Sequence, residues 1–89
     1  MDSRKSIAIF VERALSGLDV DFSEIVGLSL DPANAKENEL VDLFWRQLSI
    51  FVNDYDIRIR EPEYSLDKKR QLIEARDQLI AAGLLPKLL

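Results

Sequence analysis

Apolar residues along this chain recur at helical spacing far more often than they alternate. Ile7, Phe10, Val11, Ala14, Leu15 and Leu18 lie three or four positions apart, which predicts an amphipathic first helix. Ser3 is its N-cap and Gly17 its C-terminal stop, so the helix is expected from Ser3 to about Leu18. Asp21 and Glu24 have the spacing of a capping box, with aspartate in the place of serine or threonine. A short second helix is therefore expected from about Phe22 to Gly27.

Asp31-Pro32 is the next start signal, because proline suits the first turn of a helix. The segment is predicted helical loosely from Pro32 and firmly from Glu37. Leu40, Leu43, Phe44, Leu48, Phe51, Val52 and Tyr55 form one broad stripe, with Val41, Trp45 and Ser49 beside it. A stripe that wide suits a central helix packed on more than one side. Leu43, Phe44, Leu48 and Phe51 are the expected core, and Trp45 among apolar neighbours is expected to pack there too.

The run IRIR, Ile57 to Arg60, alternates apolar and charged residues as a strand would. No second strand signal exists to pair with it, so a helix end followed by a loop is expected. Ser65 or Asp67 then caps a last helix that ends near Ala82, with Gly83 as its stop. Its expected buried stripe is Leu66, Leu72, Ile73, Leu79 and Ile80, and the apolar tail LLPKLL is expected to fold back onto the bundle. The fold class read from these patterns is all-α: a small helical bundle of three long helices plus one short helix, with residues 1–89 forming a single helical domain.

Composition narrows the chemistry. At 89 residues the chain buries only about 60–65% of its unfolded surface, so its stability margin is thin. There is no cysteine, hence no disulfide and no thiolate metal site. There is also no histidine, which removes the usual general base and the usual neutral metal ligand. The apolar run Ile7 to Val11 is shorter than the roughly 7–15 residues of a secretory signal. No stretch approaches the ~18 apolar residues of a membrane span. A cytoplasmic protein with no membrane partner is the expectation.

Candidate chemistry concentrates in FVNDYDIRIREPEY, Phe51 to Tyr64. Asp54 and Asp56 resemble half of a calcium loop. Counting from Asp54, the sixth position is Ile59 and the twelfth Ser65, where an EF-hand needs glycine and glutamate. A metal is therefore not expected, and neither is any cofactor. A carboxylate pair for acid–base catalysis needs a substrate groove that a bundle this small barely offers, so an enzyme is not expected either. The basic cluster Asp67 to Gln71 sits in a chain of net charge −4, which disfavours nucleic acid.

Charge layout is the most informative feature. From Asp19 to Glu63 there are eleven acids and four bases, whereas the flanking segments are net positive. Solubility alone accounts for such a pattern. The functional alternative is an acidic face that steers a basic partner. Tyr55 and Tyr64 are equally suited to the core and to interface anchoring. On the functional reading the partner-binding residues are Asp54, Tyr55, Asp56, Arg58, Glu61, Glu63 and Tyr64.

A long central helix, an acidic tyrosine-bearing connection and a last helix ending in small residues and glycine resemble the colicin-type immunity bundle. The segment FWRQLSIFVNDYDIRIREPEY also looks like the Maf-type immunity group. Tyr55, Asp56, Pro62 and Tyr64 occupy the region where the colicin-type group carries Asp-Leu-Ile-Tyr-Tyr-Pro, in a different order. The resemblance implies an antitoxin that binds a basic bacterial toxin domain, commonly a nuclease, and blocks its activity. The competing expectation is a small helical adaptor or homo-oligomeric structural protein, self-associating through the central stripe and the LLPKLL tail.

Overall fold

The computed structural model describes residues 3–88, and all its regular structure is helical. Helix α1 spans Ser3–Leu15, a 3₁₀ turn follows at Phe22–Glu24, and α2 spans Ala35–Asn53. Helix α3, Tyr55–Arg60, is a short helix where a helix end and loop were expected, and α4 runs Pro62–Ala81. The all-α bundle expected from the spacing is what forms.

Its core is drawn from every long helix. Ile7, Phe10, Val11 and Ala14 of α1 pack with Val41, Phe44, Leu48 and Phe51 of α2 and with Leu72, Ala75 and Leu79 of α4. Leu84 and Leu85 of the tail are buried as well and Leu88 packs against the core, so the tail does fold back over its described residues, 84–88; Leu89 lies outside them. Three edge-on ring contacts bind α1, the 3₁₀ turn and α2. Phe10 meets Phe22 at 6.3 Å, Phe22 meets Trp45 at 6.0 Å, and Trp45 meets Phe44 at 5.6 Å. Such rings prefer edge-to-face approach because the positive edge of one faces the negative face of the other.

Helix ends show where local signals compete. Asn34, not Asp31, caps α2: its side-chain oxygen accepts from the Glu37 amide at 2.9 Å. The Glu37 carboxylate reaches back to the Ala33 amide at 2.9 Å. The pair satisfies one donor that the helix start leaves open, the Glu37 amide, and ties down the residue before the cap. Asp21 caps as expected, accepting from the Ser23 amide at 2.9 Å, but the turn it starts stops at Glu24. Burial of Ile25 ends that turn: its φ of −124° is non-helical, and its side chain is only 2% exposed.

Two glycines end helices as expected. Gly17 and Gly83 adopt φ of +91° and +79°, in the left-handed region that favours glycine. At the second, Leu84 N–H donates to the Leu79 carbonyl at 2.9 Å, which closes the helix and aims the tail inward.

Several expected core positions are exposed. Leu18 follows the Gly17 reversal and is 52% exposed, because α1 has already ended. Leu43 is 37% exposed, for it stands roughly a third of a turn from the Val41–Phe44–Leu48–Phe51 stripe. Leu66, at 64%, lies nearly opposite the Leu72–Ala75–Leu79 stripe of α4. Ile73 is half-buried. The last helix also starts earlier than Ser65 or Asp67, with Pro62 at its first turn, where the missing N–H costs nothing.

The core ranking is testable by denaturant unfolding. Phe44, with no exposed surface, should cost about 3–5 kcal/mol on truncation to alanine. Leu43→Ala should cost well under half as much, and equal losses would show that the stripe is phased differently.

Candidate functional site

Helix α2 does not run on into α3. It ends at Asn53, and the chain restarts helically at Tyr55 after one residue, Asp54, at φ −92° and ψ 21°. A helix end leaves its last carbonyls without intrahelical donors. Arg58 takes one of them, donating from Nε to the Phe51 carbonyl at 2.8 Å. Its guanidinium also lies 3.7 Å from the centre of the Phe51 ring and 5.5 Å from that of Tyr55. A guanidinium over a ring face is attracted by the ring quadrupole, more so when water is excluded.

Arg58 is therefore not the surface charge expected of a partner-binding residue. It is 8% exposed, and burial lowers its pKa. Its ordinary value is so high that it stays charged throughout the physiological range.

The second tie across the corner joins α4 to the break. The Tyr64 hydroxyl donates to the Asp54 carboxylate. That bond, then desolvation and the nearby negative charge, raise the Tyr64 pKa above its ordinary value of 10.0. Lys68 stands 5.6 Å from the Tyr64 ring on the same helix. Asp54 and Tyr64 are both half-buried and engaged with each other, so neither is freely offered to solvent.

The remaining expected residues fall on two separate surfaces. Tyr55 and Asp56 line an open groove of about 510 Å³, whose other walls are Asp19, Val20, Asp21, Phe22, Val52 and Asn53. Glu61, Glu63 and one side of Tyr64 line a second open concavity with Arg60 and Pro62. The segment from Phe51 to Tyr64 is thus divided by α3 and does not form one continuous patch.

Asp19, Asp21 and Phe22 were not among the candidates of the sequence. The turn between α1 and α2 carries them to α3, and two contacts hold it there. Phe22 is wedged between Phe10 and Trp45, and Arg13 pairs with Glu24 at 3.1 Å. Asp21 has its carboxyl held below the ordinary range, chiefly by the Ser23 amide. The only trace of this site in the sequence is the alternation of acid and apolar residues in DVDF.

The groove is rich in negative charge. Three carboxylates (Asp19, Asp21 and Asp56) stand around two aromatic rings, and none is in an ion pair among the described residues. The described residues contain no group of three or more acidic, histidine or cysteine side chains placed to hold a metal ion. No described helix is long and apolar enough to cross a membrane. Compared with protein-family models, curated proteins and solved structures, the chain has no match.

The Tyr64–Asp54 tie gives a pH signature. A tyrosine whose folded pKa is raised keeps its proton longer in the folded state, so the folded form binds more protons above pH 10. Its contribution to stability is complete below about pH 10 and is lost as pH rises through the folded value. Ultraviolet titration of wild type minus Tyr64→Phe should show this tyrosine ionising above the ordinary value. Asp54→Asn should bring it back down, and an unmoved midpoint would mean that the bond does not persist in solution.

Proposed function

We propose that this protein is an inhibitor of the immunity or antitoxin type, which binds a basic bacterial toxin domain and blocks its activity. The observation that carries the reading is the groove that Asp19, Asp21 and Asp56 line with Phe22 and Tyr55, none of the three acids being in an ion pair among the described residues. Free carboxylates beside ring faces suit lysine and arginine side chains, which gain both ion pairing and contact with the rings. Glu61 and Glu63, both exposed, add negative potential on the far side of α3. Acids of this kind steer encounter more than they hold a complex, whereas packed aromatic residues hold it. On this reading Tyr55 is the anchor, the groove acids are its charged surround, and Arg58 supports the wall from within.

The reading extends to where the partner acts. A toxin whose own site is basic, such as a nuclease cleft, would be blocked by charge complementarity at that site. Binding there needs no chemistry from the inhibitor, in keeping with a chain that has neither histidine nor cysteine.

A second reading is a helical adaptor or self-associating protein. It is favoured by the exposed apolar side chains Val26, Ile59 and Leu66, each at least 64% exposed. Sedimentation across a concentration series tests its self-associating form, because only that form requires dimers of this chain alone.

The test of the first reading begins with the captured partner, identified by mass spectrometry and purified. Its association rate should fall steeply as salt rises and screens the acids. Asp56→Asn and Asp19→Asn should weaken binding, by about 2–5 kcal/mol for whichever acid is fully desolvated against a partner cation. Tyr55→Ala should cost at least about 2 kcal/mol. An acidic or nucleic-acid partner, or unchanged binding for all three variants, would overturn the reading.

A further inference from the structure

The break between α2 and α3 falls at Asn53-Asp54, two weak helix formers, but the Asp54 side chain makes no cap hydrogen bond there. Abrupt helix kinks come from proline, from glycine or serine pairs, from π-bulges, or from a side chain inserted at the backbone ladder. The sequence across it, Phe51-Val52-Asn53-Asp54-Tyr55-Asp56, contains no proline, glycine or serine. What stands at the break is the last of these causes: the Arg58 Nε on the Phe51 carbonyl, backed by the Tyr64 hydroxyl on Asp54. The helical ladder is kept on either side of Asp54. The Asp54 amide donates to the Ile50 carbonyl at 3.0 Å, and the Arg58 amide donates to the Asp54 carbonyl at 2.9 Å.

The hinge itself is soft. Asp54 differs from an ordinary helical residue chiefly in ψ, which stands at 21°. The helical value is about −42°, so rotation of about 60° at one residue would rejoin the two helices. Neither end state needs a left-handed or otherwise strained residue, since the described residues other than glycine all have negative φ.

We propose that the break is a two-pin latch: latched by Arg58 and Tyr64, α3 turns aside and builds one wall of the acidic groove; released, residues 35–60 run as a single helix and Tyr55 and Asp56 leave that wall. The charge on Arg58 gains water on release, since burial disfavours it in the latched state, although Asp54 and Asp19 there favour it. Opposing this, release uncovers the Phe51 ring, which is 1% exposed when latched. Two opposed contributions acting on one soft dihedral are what a switchable element requires. Asp54 is the natural trigger, because any cation that claims its carboxylate competes with the Tyr64 hydroxyl. The device is independent of the identity of a partner.

The test uses NMR on the full chain with no ligand. The readouts are Cα shifts and Cα-proton-to-amide contacts of the (i, i+3) type across residues 51–57. The variants are Tyr64→Phe, Arg58→Met and the two combined. Tyr64→Phe should move the Asp54 and Tyr55 shifts toward helical values, and the double variant should give unbroken helical shifts and contacts from 51 to 57. If Arg58→Met does not fold, Arg58→Lys replaces it in both single and double variants, since it keeps charge and stem but lacks Nε. A break that persists in the double variant would overturn the proposal, as it would then be locally encoded. Random-coil shifts over 55–60 would overturn it equally, because α3 would have melted instead of fusing.

Discussion

Everything in this bundle depends on one narrow apolar seam, the Val41–Phe44–Leu48–Phe51 face of α2. Those four residues alternate three and four apart and are at most 6% exposed. The other buried apolar residues of α1, α4, the α1–α2 connection and the tail belong to the same core, so each element is placed by how it reaches that seam. Helix α4 lies against it through Leu72, Ala75 and Leu79. The α1 helix reaches it through the ring series Phe10, Phe22, Trp45 and Phe44. The tail closes the far end with Leu84 and Leu85.

The same seam explains the corner. Phe51 is its last member, and its ring and carbonyl both receive Arg58. A buried cation is costly unless attractive charge, hydrogen bonds or ring contacts offset its lost hydration, and Asp54 and Asp19 supply the first. A carbonyl and two rings supply the others, and the geometry they require turns α3 out of line with α2. The groove is a consequence of that turn: Asp56 and Tyr55 face Asp19 and Asp21 only because α3 is held aside. Core packing, a buried arginine and an acidic surface are thus joined through one residue.

Surface ion pairs contribute less to this arrangement than their number suggests. Arg13–Glu24 and Arg76–Glu12 join elements distant in sequence, yet each has a carboxylate at least 45% exposed. Exposed pairs of this kind are worth about 0–1 kcal/mol. They fix orientation, chiefly of the turn that carries Phe22, while burial supplies the stability.

The sequence by itself determined the three long helices, because a 3.6-residue repeat and glycine stops are local properties of the chain, but not the short one, which forms at Tyr55–Arg60 and not at Phe22–Gly27. Gly17, Gly83 and the Asp21 cap act where their spacing places them. It did not determine which flank of each stripe is buried. Leu43 and Leu66 are as apolar as Leu48 and Leu72, and only the position of the neighbouring helix separates them. Nor was the candidate site legible beyond its charge. Asp54, Tyr55, Asp56 and Tyr64 were recognisable as a polar, aromatic cluster, but their division between two surfaces follows from the Asp54 break. Asp19 and Asp21 lie more than thirty positions from Asp56, and no local pattern links them. Arg58 is the sharpest case: in sequence it is one more charge in an alternating run, while in the fold it is the buried guanidinium that decides where α3 points. Local spacing encodes helices because the hydrogen bonds that make them span four residues; the site is built from contacts that exist only after those helices have packed.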